Sequence, residues 1–446
     1  SSSQQPAMTS PEQESSSTWL SWVAGDSLDD AWKAIIRPRR RRYEVSDLGP
    51  PVFLIGHQRY ERRDFQLQSL RGQTLECSHF APQESLEAAL PCVVYLHGNS
   101  SSRLEALDVM PRLLHRNITV FCFDFSGSGQ SEGEYVSLGH DEQKDLVVIL
   151  RHLRKSGKVS SIALWGRSMG AATAILRASK DQCLAACILD SPFTDLKTVA
   201  EELVNRKVSV PQFVVDMGIQ AVRDEVHSRA GFDLDQVLPI KAAPRSKCPA
   251  FFIAGYEDKL VQPHHAQDLH DVWGGAEREI RFVAGGHNDP RPKALESEAA
   301  DFLAKHLQHR EGGLQAAPLE PEMQERLGKN PKKQVEGEHA EKRTDFAKQV
   351  FRFATGKSKS LVPQAKRKSR FTSRTKKLTE ALRAEEAVST SMGSVRGSRG
   401  HSCQRSVSPR PAQSSPRHSP DGLALSSGWR RRMQSFKVDW HVSRSS

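Results

Sequence analysis

Five consecutive residues, Gly166-Arg167-Ser168-Met169-Gly170, place a nucleophilic side chain between two glycines. The apolar run SIALW precedes them and the helix former MGAATAILRAS follows. Strand, sharp turn and helix in that order hold a serine on an elbow with its hydroxyl exposed. Gly166 and Gly170 keep the turn uncrowded. The helix starting at Met169 aims its first amides and its partial positive charge at an anion forming beside Ser168. A serine hydroxyl is a weak nucleophile, so it needs a base, and the base needs a group to orient it. Asp258, in FFIAGYEDKLV, and His287, in FVAGGHN, each follow an apolar run. Both therefore fall at strand C-terminal ends, on the edge where Ser168 sits. The 29-residue spacing from Asp258 to His287 fits one helix plus one strand. Glu257 is expected to point away from the imidazole, and Asp190, in LDSPF, is the alternative acid. His264 and His265 open a helix and read as surface residues.

Two further motifs flank this set. Tyr95-Leu96-His97-Gly98-Asn99 closes an apolar strand about 70 residues before Ser168. Asp124-Phe125-Ser126-Gly127-Ser128-Gly129-Gln130-Ser131 follows the strand-like ITVFCF. Its G-x-G lacks the rest of a dinucleotide-binding fingerprint, so it is assigned a structural role.

Such residues need a scaffold that gathers strand ends on one edge. Phe65–Leu70, Thr74–Phe80, Cys92–Leu96, Thr119–Phe125, Ser161–Trp165, Cys187–Leu189, Ala250–Ala254 and Glu279–Val283 read as strands. Between them Leu104–His115, Asp141–Lys155, Met169–Ser179, His264–Val272 and Ala294–Leu307 read as helices. Alternation of this kind predicts an α/β fold with a mostly parallel sheet covered on both faces. About 55 residues separate Pro192 from Lys247, far more than a crossover needs, and they are rich in apolar side chains. This segment, about 194–247, reads as an inserted helical cap that sets substrate choice.

Charge divides the chain differently. Residues 311–446 hold 28 Lys plus Arg against 13 Asp plus Glu, while residues 1–310 hold 36 against 40. The basic character belongs to the tail, and the first 310 residues give no reason to expect specific nucleic-acid binding. The tail is poor in aliphatics and carries Ser-Pro pairs and a KRKSRFTSRTKK run, so residues 309–446 are expected to be mostly disordered. Within it, Glu341–Gly356 has the spacing of one helix, and the Lys366–Lys377 run suits a nuclear localisation signal. Residues 1–63 read as an extension, polar over 1–17 and helical in spacing over 18–36. It ends in the run Arg37–Tyr43, a solvated linker or a patch for anionic lipid or phosphorylated partners. The seven cysteines show no metal-ligand spacing and lie mostly in apolar runs, as buried thiols of a reducing compartment do. A cytoplasmic protein, peripheral to membranes through its basic segments, is the expectation.

HGN, DFSGSGQSEG, GRSMG, LDSPF, GYEDKLV and GGHN stand in the order and spacing of the alpha/beta-hydrolases. The chain resembles that superfamily over about residues 64–308. It is similar to its serine aminopeptidase-like, or Hydrolase-4, branch, and within that to the alpha/beta-hydrolase-domain-17-like proteins, which include protein depalmitoylating thioesterases. That thioesterase group carries an N-terminal cysteine cluster, whereas residues 1–63 here hold no cysteine. The resemblance implies an eight-stranded sheet with an antiparallel edge and a cap that builds an acyl pocket. It also implies the chain order nucleophile Ser168, acid Asp258, base His287. The backbone amides of Asn99, from the His97-Gly98 loop, and of Met169 are then the oxyanion donors. The expected chemistry is hydrolysis of an ester or thioester through an acyl-enzyme, with no metal and no organic cofactor. The substrate is then a small molecule or lipid acyl compound, or an acylated protein. A peptidase or amidase, and a catalytically silent binding protein on the same fold, are the competing readings.

Overall fold

The computed structural model describes residues 28–83, 89–207 and 212–308. The readings made for residues 1–27 and for the tail, with its candidate helix, basic run and Cys403, lie outside these described residues.

Nine strands form one sheet: β1 (Val52–Ile55), β2 (Gln58–Gln68), β3 (Thr74–Pro82), β4 (Leu90–Leu96), β5 (Thr119–Phe123), β6 (Val159–Arg167), β7 (Cys187–Asp190), β8 (Ala250–Gly255) and β9 (Arg278–Val283). Their order is β1-β2-β3-β5-β4-β6-β7-β8-β9. The first three are antiparallel, β3 runs antiparallel to β5, and the other pairings are parallel. The eight expected strands are all present, and β1 is added. Its four residues, VFLI, are too few to show a period, and it pairs only through a tight hairpin to β2. The sheet therefore starts at Val52, and the boundary expected at residue 64 falls inside β2.

Period-two alternation sorts the central strands between two cores. Cys92, Val94 and Leu96 of β4 and Ile162 and Leu164 of β6 enter one. Val93, Tyr95, Ala163 and Trp165 enter the other. With both faces covered, neither strand has a polar side, which is why each reads as a continuous apolar run. On the first face lie α3 (Glu142–Lys155) and α4 (Met169–Ala178), all of whose residues are buried. On the second lie α2 (Met110–Leu114) and α9 (Lys293–Gln308), which turns Leu295, Ala299, Phe302 and Leu303 inward at helical spacing.

The cap is helical as expected. It holds α5 (Leu196–Lys207) and α6 (Gln212–Ala230), then a 3-10 turn at Leu234–Gln236 and the short α7 (Pro239–Ala242). After β8 comes α8 (Pro263–Val272). The described cysteines are free thiols, five of them buried; Cys187 and Cys248 touch at 3.6 Å between sulfurs. No described helix is long and apolar enough to cross a membrane.

The extension before the sheet is part of the fold. Helix α1 (Leu28–Ile36) sends Trp32, Ile35 and Ile36 into the first core. The Trp32 indole donates to Asp29 at 3.0 Å, and the Arg229 guanidinium of α6 lies 4.0 Å from its ring centroid. The basic run behind it is partly tied down: Arg40 donates to the Ser131 carbonyl at 2.7 Å and to that of Gly133, and Arg37 pairs with Glu134 at 3.2 Å. Trp32→Ala is expected to destabilise the protein by roughly 3–5 kcal/mol, as deletion of a buried aromatic does. A side chain on a passive linker would change the denaturation midpoint hardly at all, so urea titration of the variant separates the two cases.

Candidate active site

β6 delivers Ser168. Its register sets Gly166 beside Leu96 of β4, so both chains leave the sheet at one level. Ser168 then takes φ 51° and ψ −115°, a conformation strained for a residue with a side chain. Close contact enforces it. A Cβ on Gly170 would lie 2.0 Å from the Leu96 carbonyl oxygen, and one on Gly166 would lie 2.3 Å from that of Gly170. The Ser168 N–H is anchored on the Asp190 carbonyl at 2.8 Å.

The three expected residues meet. Ser168 Oγ lies 3.0 Å from His287 Nε2, and His287 Nδ1 lies 2.7 Å from Asp258 Oδ2. The other oxygen of Asp258 accepts the N–H groups of Leu260 and Val261, each at 2.9 Å. Burial pushes the Asp258 carboxyl up. The His287 charge and hydrogen bond, with the two amides, outweigh it and hold the group below the ordinary carboxylate value. A carboxylate fixed there keeps the imidazole proton on Nδ1 and turns the Nε2 lone pair to Ser168 Oγ, the arrangement a general base requires.

Asp190, the alternative acid, is spoken for. Arg291 grips it with Nη2 at 2.8 Å and Nε at 3.0 Å, both groups buried. The same arginine donates to the Gly286 carbonyl at 3.1 Å, and Arg167 donates to that of His287 at 2.8 Å. Glu257 accepts the Gly285 N–H. These groups position the histidine loop without touching the imidazole. Neither Arg291 nor its role was legible, because nothing in GGHNDPRP points across 101 residues to Asp190.

The loop after β4 lies beside the elbow. The Gly98 N–H is held by Glu105 at 2.9 Å and the Ser100 N–H by the Asn99 side chain at 3.0 Å. Asn99 Nδ2 is buried with no partner among the described residues. Met169 opens α4, so its N–H has no intrahelical acceptor. Asn99, Met169, Ser168 and His287 line one cavity of about 430 Å³. Ile35 of α1, Leu196, Val199 and Leu203 of α5 and Ile219 and Val222 of α6 give it apolar walls, and Arg41 also lines it.

His97 is structural. Its Nε2 accepts the Phe125 N–H at 3.1 Å, which puts the proton on Nδ1 for the Gly98 carbonyl at 2.8 Å. Asp124, fully buried, accepts from the Arg103 N–H, the Gln130 N–H and the Tyr43 hydroxyl at 2.7, 2.8 and 2.6 Å. A Cβ at Gly129 would come within 2.2 Å of its carboxylate, which explains the glycine. Tyr43 and Arg103 join this knot from distant segments, and no local pattern announced them. One reading is corrected: His264 is exposed, but His265 is fully buried, because α5 of the cap folds over it.

The two aspartates should respond differently. Asp258→Asn keeps an oxygen for the Leu260 and Val261 amides and is expected to cost less stability than Asp190→Asn while lowering turnover roughly 10⁴-fold, since the wrong imidazole tautomer is then held. Asp190→Asn leaves the Arg291 charge buried without its counter-charge and is expected to cost about 3–5 kcal/mol of stability. Calorimetry alongside serine-probe labelling of both variants distinguishes them.

Residues 88–224 match the Hydrolase_4 family model, described as serine aminopeptidase, S33. The chain is 28% identical to protein bem46 of Schizosaccharomyces pombe over 255 residues, 55% of this chain and 77% of that one. It is 26% identical to the uncharacterized protein YfhR of Escherichia coli O157:H7 over 204 residues, 45% of this chain and 64% of YfhR, a little under two thirds of its length. Among solved structures, the Pyrococcus furiosus esterase PF2001 aligns with a TM-score of 0.48 at 21% identity, over 61% of this chain and 98% of that one. The strand order and the strained serine after β6 give the chain the alpha/beta-hydrolase fold, and the Hydrolase_4 match falls over the heart of its sheet.

Proposed function

We propose that the protein is a serine hydrolase that cleaves acyl esters or thioesters. The observation that carries this reading is the unbroken hydrogen-bonded series from Ser168 through His287 to Asp258, set in an apolar cavity. Ser168 Oγ attacks the acyl carbonyl carbon and its proton passes to His287 Nε2. The carbonyl π pair moves to oxygen, where the amides of Asn99 and Met169 receive it. Collapse breaks the bond to the leaving alkoxide or thiolate, which takes the proton from His287. Water, deprotonated by the same nitrogen, then frees the acid and restores Ser168. These residues need no bound metal or organic cofactor for these steps.

Apolar walls from the cap favour an acyl chain over a peptide. Phe213 and Met217, one turn apart on α6, expose apolar side chains, and Arg41 lies at the cavity. Both features suit a substrate presented at an anionic membrane surface.

The first test is labelling by a fluorophosphonate. Wild type should label and Ser168→Ala should not; equal labelling of the two refutes the assignment. On p-nitrophenyl esters of increasing chain length, an acyl thioester and an aminoacyl amide, long acyl groups should be favoured and the amide poorest. Ala200→Phe, which projects a ring into the cavity, should lower kcat/KM for long esters more than for short ones. Activity should rise with pH, since only the neutral imidazole accepts the serine proton. The depressed Asp258 carboxyl stays ionised throughout that rise. Its contribution to stability is present above the ordinary carboxylate pKa and is lost only as pH falls through the lower folded value.

A further inference from the structure

Outside the catalytic cluster, Glu202 of α5 meets His264 and His265 at the start of α8. One carboxylate oxygen of Glu202 lies 2.6 Å from His264 Nε2 and the other 3.2 Å from His265 Nε2. The three potential ligand atoms, one from each residue, lie within 4.8 Å of one another. The geometry points to a divalent transition-metal site, best suited to Zn²⁺, that clamps the cap to the body of the protein.

Ligand chemistry gives the metal. Two imidazoles and one carboxylate suit zinc, whereas Mg²⁺ and Ca²⁺ take oxygen ligands. At Zn–N and Zn–O lengths of about 2.0–2.2 Å, tetrahedral ligands stand roughly 3.3 Å apart. The observed atoms straddle that spacing, so modest side-chain shifts admit the ion. The remote ring nitrogens supply the second observation. His264 Nδ1 faces Asp268 Oδ2 at 3.0 Å. His265 Nδ1 faces Thr194 Oγ1 at 2.7 Å, and that hydroxyl reaches Asp195 Oδ2 at 3.2 Å. A metal-bound histidine characteristically donates its other N–H to a carboxylate or another oxygen, which fixes the ring and frees Nε2 for the metal. His264 has such a partner, and at His265 the Thr194 hydroxyl is the nearer of two groups at Nδ1, the Thr194 N–H approaching at 3.3 Å. His265 is buried and His264 exposed, so the site has a rigid wall and an open side for the ion and a water ligand.

Its placement gives the role. Leu203 follows Glu202 and walls the catalytic cavity; Leu260 and Val261, which also line it, lie between Asp258 and the histidines. An ion held here joins the cap helix to the segment carrying the acid. It therefore stiffens the acyl pocket without touching the reacting atoms.

The test titrates Zn²⁺ alone into the full chain against a competing chromophoric chelator, for wild type, His264→Ala and Glu202→Gln. Wild type is expected to bind one more equivalent than either variant, or to bind that equivalent at least about tenfold more tightly. Zn²⁺ should raise its unfolding midpoint by several degrees, with no such rise from Mg²⁺ or in the variants. His264 is exposed and outside the catalytic machinery, so His264→Ala should stay folded and keep wild-type labelling at Ser168. Equal stoichiometry and affinity in wild type and His264→Ala, or an equal midpoint shift, overturns the proposal. Failure of Ser168 labelling with a normal zinc difference would instead count against the hydrolase reading alone.

Discussion

Everything at the site depends on a contact between two backbones with no side chain between them. Helix α4 turns back so sharply after β6 that Gly170 lies against the end of β4, where even one methyl group would sit 2.0 Å from a carbonyl oxygen. That approach forces Ser168 into its strained conformation and brings the loop after β4 to within reach of the helix N-terminus. That Asn99 and Met169 line one cavity is a consequence of it. The strain persists because both strands are fixed on two buried faces, and a helix buried on every side cannot relax outward.

Around that fixed point, the histidine loop is held by charge. Arg291 and Arg167 reach the carbonyls of the histidine loop, and Asp190 between them balances their charge inside the protein. Asp258 receives two amides on the oxygen that does not face the imidazole, so its orientation does not depend on the histidine alone. Asp258 and His287 thus sit on loops, and the histidine loop is tied through Arg167 to the strand that leads into Ser168.

The candidate site was legible because each of its three residues closely follows a strand and carries its own local signature. GRSMG, HGN and GGHN need only a handful of residues to declare a turn, and the buried parallel strands declare themselves as apolar runs. Most helix ends came within a residue or two for the same reason, but the expected helix Leu104–His115 divides into a 3-10 segment, Arg103–Asp108, and the short α2. What stayed hidden was non-local. β1 is too short to show a period and exists only because β2 pairs with it. Asp190 looked like a second acid until Arg291 arrived from 101 residues away. His265 looked superficial because nothing near it says that a cap helix will cover it. Tyr43 and Arg103 anchor Asp124 from segments that read as linker and helix. Sequence patterns report which face of an element is apolar, and they are silent on which distant element will cover it.

The order of assembly has a consequence for the newborn chain. Ser168 is synthesised well before the acceptor of its own N–H, the Asp190 carbonyl on β7, and 119 residues before the imidazole that would draw off its proton. His287 follows β9, the last described strand in the sequence, so the hydrogen-bonding partner of the Ser168 hydroxyl is the final piece of the candidate site to be made.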